Sequence, residues 1–128
     1  MPPVDIIFFK DDDGTAPVLE WIKHLSKGEK AKVISHIQLL AEKGHELRRP
    51  HADSVCGSDL YELRLRFGRL RVRILYFFFM RYAAVLDHVV HGKKTDAIPQ
   101  AEINRALKKR DQFIQDPEKH TIKNEVLS

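Results

Sequence analysis

Residues 60–79 read Leu60-Tyr61-Glu62-Leu63-Arg64-Leu65-Arg66-Phe67-Gly68-Arg69-Leu70-Arg71-Val72-Arg73-Ile74-Leu75-Tyr76-Phe77-Phe78-Phe79, and their alternation decides the fold. The pattern is that of two β-strands, with Arg64 and Arg66 on one arm and Arg71 and Arg73 on the other. With Gly68-Arg69 as a two-residue loop, Phe67 pairs with Leu70, Arg66 with Arg71 and Arg64 with Arg73. The apolar set (Tyr61, Leu63 and Leu65 against Val72, Ile74 and Tyr76) then falls on the other face. Like charges directly opposed across a strand pair each cost about 0.2–1 kcal/mol. Four stacked arginines are tolerable in water and useful where an anion sits, so this face reads as a phosphate site.

The 128 residues are 43% hydrophobic and 31% charged, enough for one globular domain with a core. The net charge of +4 is uneven: residues 1–59 sum to −2, residues 60–110 to +8 and residues 111–128 to −2. A basic middle between acidic flanks points to a focused cationic surface whose counterpart is nucleic acid or an acidic protein. The single cysteine, Cys56, excludes an internal disulfide and a cysteine-built metal site. No basic-then-apolar leader opens the chain, and the apolar run Ile74–Met80 is far too short to span a bilayer. A cytoplasmic protein without a membrane partner is expected.

Outward from the hairpin, Val4–Phe9 reads as a first strand closed by the turn Asp11-Asp12-Asp13-Gly14, which lacks the alternate spacing of a calcium loop. Thr15 and Pro17 mark a helix with Val18, Trp21, Ile22 and Leu25 on one stripe. Ser26 and Glu29 have capping-box spacing and open a second helix, carrying Val33, Ile34, Ile37, Leu40 and Ala41 and stopped at Gly44. Residues 45–58 read as a polar loop. After the hairpin, a strand from about Tyr82 to Val90 is apolar on both sides and belongs inside the sheet. Pro99 begins a last helix with Ile103, Ala106, Leu107, Phe113 and Ile114 as its buried stripe, and Pro117 ends it. Residues 116–128 read as a loosely held polar tail. The fold class expected is α+β over residues 1–128: a small antiparallel sheet with two N-terminal helices and a C-terminal helix packed on it.

If the ligand is RNA, metal-free cleavage proceeds by attack of the neighbouring 2′-hydroxyl, and negative charge grows around phosphorus. Positioned cations stabilise that charge, and arginine suits the task because its planar fork grips two phosphate oxygens and stays protonated. Arg64 and Arg73, inside the hairpin, are the best-held candidates, while Arg66 and Arg71 near the loop would bind flanking phosphates. Lys93 and Lys94 lie where the third hairpin strand ends, beside this face if strand order follows chain order. Gly92-Lys93-Lys94-Thr95 resembles the end of a phosphate-binding loop but has one lysine too many, and Asp87 stands where its first glycine belongs, so nucleotide binding is rejected. A neutral imidazole would serve as base or acid, and the candidates are His88 and His91. They point to opposite faces of a regular strand, so at most one faces the phosphate. His24, His36, His45 and His51 read as packing or surface residues. No histidine–carboxylate spacing suggests a metal, and none is expected, nor any other cofactor.

These residues together resemble the RelE/HigB group of toxins from type II toxin–antitoxin pairs, in its phage-derived, HigB-like branch of the RelE/ParE superfamily. The resemblance rests on Leu60-Tyr-Glu-Leu-Arg64, Arg73-Ile-Leu-Tyr76, the later Lys-Lys, and Pro99-x-x-Glu102-Ile103-x-Arg105-Ala106. Ala16-Pro17-Val18 and Asp116-Pro117-Glu118-Lys119-His120-Thr121 extend it over nearly the whole chain. It implies a microbial-ribonuclease-like toxin that enters the ribosomal A site, cuts messenger RNA there and is silenced by a cognate antitoxin. It also implies catalysis by scattered basic residues, here Arg64, Arg73 and Lys94 with Lys93 adjacent; Arg66, Arg71 and Arg69 would contact RNA. Close relatives place His-Gly shortly before the lysine, whereas here His88 precedes Val89 and Gly92 comes later. The resemblance therefore leaves His88 and His91, and the two lysines, as alternatives. Two other readings stand beside the nuclease: a non-catalytic inhibitor of the ParE type, which binds gyrase, and an RNA-binding homologue that has lost cleavage.

Overall fold

In the computed structural model, which describes residues 3–55, 57–91 and 97–123, the order of elements is mixed α and β. It runs β1 (Asp5–Phe9), α1 (Pro17–Lys23), α2 (Lys27–Lys43), a 3₁₀ turn at Gly44–Glu46, β2 (Ala52–Ser54), β3 (Tyr61–Phe67), β4 (Leu70–Phe79), β5 (Ala83–His91), α3 (Gln100–Gln115) and β6 (Thr121–Lys123). The six strands form one sheet in the order β2-β3-β4-β5-β1-β6. Its α+β class is as expected.

The hairpin closes in the predicted register, with Phe67 opposite Leu70, Arg66 opposite Arg71 and Arg64 opposite Arg73. Gly68 sits at φ +60°, a conformation that a side chain would strain, and this keeps the loop at two residues. The α2 capping box also forms: the Ser26 hydroxyl accepts from the Glu29 N–H, and the Glu29 carboxylate accepts from the Ser26 N–H, each at 3.2 Å.

Three expectations about the strands change. The sheet is not antiparallel throughout, because β1 lies parallel to β5 and antiparallel to β6. Ile6 and Phe8 face one layer and Ile7 and Phe9 the other, so β1 needs cover on both faces and takes a place inside the sheet. Within residues 45–58, Ala52–Ser54 pairs with β3. The chain after Asp116 is held rather than loose over its described part, since Thr121–Lys123 pairs with β1. His120, 4% exposed, stacks on Phe9 at 5.1 Å and its Nδ1 donates to the Lys10 carbonyl at 2.7 Å.

The sheet separates two cores. On one face α1 and α2 bury Val18, Ile22, Val33, Ile37 and Leu40 against Ile6, Phe8, Leu63, Leu65, Val72, Ile74 and Leu86. On the other, Ala106 and Phe113 of α3 meet Ile7, Phe9, Leu75, Phe77 and Val85. Ile114, expected in the α3 stripe, is exposed instead. Between β4 and β5 the register shifts, since Leu75 pairs with His88 but Tyr76 with Leu86. Asp87 is the extra residue of this β-bulge. No helix among the described residues is long and apolar enough to cross a membrane.

Candidate nucleic-acid interface

Strand alternation puts Glu62, Arg64 and Arg66 of β3 on one face with Arg71 and Arg73 of β4. The inner pair is charge-compensated. Arg73 is only 4% exposed, and its Nε lies 3.4 Å from Oε1 of Glu62. Arg64 donates from Nε to the same Glu62 oxygen at 2.6 Å, with Nη2 3.6 Å from Asp53, the cross-strand neighbour of Glu62. Hydrogen bonding from Arg49, helped by the Ser54 N–H and by the charges of Arg49 and Arg64, holds the Asp53 carboxyl below its ordinary value against the opposing effect of burial. Toward the loop Arg66 is exposed and Arg71 half-buried, and Arg69 is exposed on the loop itself.

Short pairing creates the site. Strand β2 covers β3 only from Tyr61 to Leu63, and the Arg64 N–H then donates to the His51 carbonyl at 2.8 Å. Beyond that point the β3 edge opens onto a groove of about 470 Å³. Five cations line it (Lys32, Arg64, Arg66, Arg71 and Arg73), together with His36, His51, Pro50, Leu65 and Val72. None of these described lining residues is a carboxylate. Lys32 donates to the Arg66 carbonyl on the open edge and places its ammonium 5.9 Å from the centre of the Phe67 ring.

Lys32, His36 and His51 are the residues that sequence reading missed. His36 follows Lys32 by one helical turn, and its Nδ1 donates to the Lys32 carbonyl at 2.9 Å. Its ring lies edge-to-face with that of His51, with centroids 5.6 Å apart and planes at 63°. The i, i+4 spacing of Lys32 and His36 on a half-exposed helix face carries no sign of what the face looks onto.

The predicted histidines lie elsewhere. His91 meets the edge of Trp21 at 6.1 Å on the α1 side of the sheet. His88 lies under α3, where Nε2 is 3.0 Å from Glu102 and Nδ1 is 3.1 Å from the Lys109 ammonium. An ammonium can only donate, so Nδ1 accepts and Nε2–H donates: His88 is a neutral imidazole with both nitrogens engaged. Burial, and secondarily the Lys109 charge, pull its pKa down against the Glu102 hydrogen bond. Burial pushes Glu102 up, yet the contacts with His88 and Arg105 outweigh it and leave the carboxyl below its ordinary value. Neither His88 nor His91 lines the groove. Lys93 and Lys94 lie outside the described residues, as does Cys56. Among the described residues no cluster of three or more histidine, cysteine, aspartate or glutamate side chains could hold a metal ion.

Residues 20–111, which include all of the groove and about seven-tenths of the chain, match the model of a family described as phage derived protein Gp49-like (DUF891). A comparison with curated proteins found no match.

Proposed function

The chain belongs to the Gp49-like family of phage-derived proteins, which is associated with toxin–antitoxin systems, and on that premise we propose that it is the toxin of a type II pair. In this reading it is a RelE/HigB-type endoribonuclease that cleaves messenger RNA on the ribosome and so stops translation. The supporting observation is the groove at the open β3 edge, with five cations and no carboxylate among its described lining residues. The RNA backbone lies along that edge. Arg66 and Arg71 grip flanking phosphates, while Arg64 and Arg73 address the scissile one from positions fixed by Glu62. Attack by the 2′-hydroxyl puts developing negative charge on the phosphoryl oxygens, where preorganised guanidinium groups stabilise it most. This route asks for no metal. A cognate antitoxin silences the protein by laying acidic side chains over the groove.

The test is inducible expression in a bacterium without the antitoxin, with messenger 5′ ends mapped across the transcriptome. Wild type should produce cuts at a fixed codon phase in translated regions. The double variant Arg66→Ala/Arg71→Ala should lose them while remaining folded. Growth arrest without new messenger ends would overturn the nuclease reading and point to a protein target such as gyrase.

A further inference from the structure

We infer that His36 and His51 are the proton-transfer pair of the arginine groove, His36 as general base and His51 as general acid; this rests on the ribonuclease reading above. Cleavage through the 2′-hydroxyl moves two protons, one off the attacking oxygen and one onto the departing 5′ oxygen. Lysine and arginine stay protonated at neutral pH, so the five cations of the groove cannot accept the first. Among the described lining residues only the two imidazoles can exchange a proton there.

A ring hydrogen bond fixes the tautomer of His36, and His51 takes the remaining role. The Lys32 carbonyl, 2.9 Å from His36 Nδ1, can only accept, so a neutral His36 carries its lone pair on Nε2. His51 is fixed through its backbone: its N–H donates to the Arg48 carbonyl at 3.1 Å, and its carbonyl accepts from Arg64 at 2.8 Å. That anchors its ring at the β3 edge, 5.6 Å from that of His36. A second, smaller depression is lined by both histidines and by Glu42 of α2, with no arginine among its described lining residues. In the reaction His36 Nε2 takes the 2′-hydroxyl proton as the 2′-oxygen–phosphorus bond forms. The bond from phosphorus to the 5′ oxygen breaks, and its electron pair stays on that oxygen, which takes a proton from His51. The products are a 2′,3′-cyclic phosphate and a 5′-hydroxyl; solvent exchange restores the two imidazoles.

The experiment uses purified full-length protein on ribosomes programmed with a messenger whose scissile linkage carries either the natural 5′ oxygen or a bridging sulfur. A thiolate leaves without a proton, so the sulfur substrate bypasses the acid but not the base. His36→Ala and His36→Gln should slow cleavage of both substrates on the order of 10²-fold or more. His51→Ala and His51→Gln should slow the oxygen substrate by a similar factor, on the order of 10²-fold, but cleave the sulfur substrate within a few-fold of wild type. Thermal unfolding of each variant confirms that it is folded. If wild type cleaves and either histidine variant keeps its full rate on the oxygen substrate, the pair is wrong while the ribonuclease reading survives. Sulfur rescue of His36 variants instead of His51 variants overturns the assignment of roles. A wild type that cleaves neither substrate overturns the ribonuclease reading and this inference with it.

Discussion

Arg73 shows how one residue can mislead an activity experiment. It is the arginine that strand alternation and family resemblance both favour, and it is also nearly buried beside Glu62. Removing one member of a buried ion pair leaves the other desolvated without its counter-charge, which costs about 3–5 kcal/mol. Glu62 is the carboxylate that both inner arginines share, so Glu62→Ala should lower the free energy of unfolding by about 3 kcal/mol, measured by urea titration, and Arg73→Ala by less, because Glu62 keeps Arg64. A loss of toxicity in Arg73→Ala alone thus does not distinguish chemistry from folding. Arg66 and Arg71 make the cleaner probes, because they are more exposed and directly opposed. Replacing both with alanine should leave stability within about 0.5 kcal/mol of wild type. The same change should flatten the salt dependence of single-stranded RNA binding by about 0.7 in log–log slope for each phosphate no longer neutralised. An unchanged slope would mean that these side chains do not touch the backbone.

At the scale of the element, the β-bulge in β5 decides which face each histidine takes. Leu86 packs toward α1 and α2, so regular alternation would send His88 that way and His91 toward α3. The extra residue reverses both. It also turns Asp87 into the interior, fully buried, with neither carboxyl oxygen hydrogen-bonded. Burial raises the Asp87 pKa well above its ordinary 3.8, against the pull of Lys109 and Arg110. Between 3.8 and that raised value the folded state holds a proton that the unfolded chain has released, so folding stability falls as pH rises through the window. Asp87→Asn removes this dependence: relative to wild type it should gain stability as pH rises and show no such gain below 3.8. His88 acts in the opposite sense, since its lowered pKa gives stability that is whole above 6.5 and lost as pH falls through the folded value. Unfolding free energies of wild type and Asp87→Asn across pH check this, and a constant difference between them would refute it.

For the whole molecule, the two cores on either side of the sheet place the groove at one edge and the closing strand near the other. Strand β6 and His120 cover Phe9, which is wholly buried. A chain ended after Asp116 would bare Phe9 and the β1 edge, and should lose about 2–3 kcal/mol, the order expected for uncovering one large apolar side chain. The unfolding midpoint in urea should fall accordingly, and an unchanged midpoint would show that β6 contributes nothing.

Local chemistry by itself determined the hairpin, its loop, its register and the α2 cap. A two-residue turn at Gly68, period-two alternation and the Ser26–Glu29 spacing each involve residues a few positions apart, so the sequence states them directly. It also determined that four arginines share one face. Tertiary structure alone decided that Glu62 compensates the inner two, that β1 runs parallel to β5, and that a bulge turns His88 under α3 and His91 toward α1. It alone brought Lys32, His36 and His51 from α2 and the loop before β2 to the open edge of β3. Those choices are made by burial on both faces of the sheet and by pairings between distant segments, and neither leaves a periodic trace in the chain.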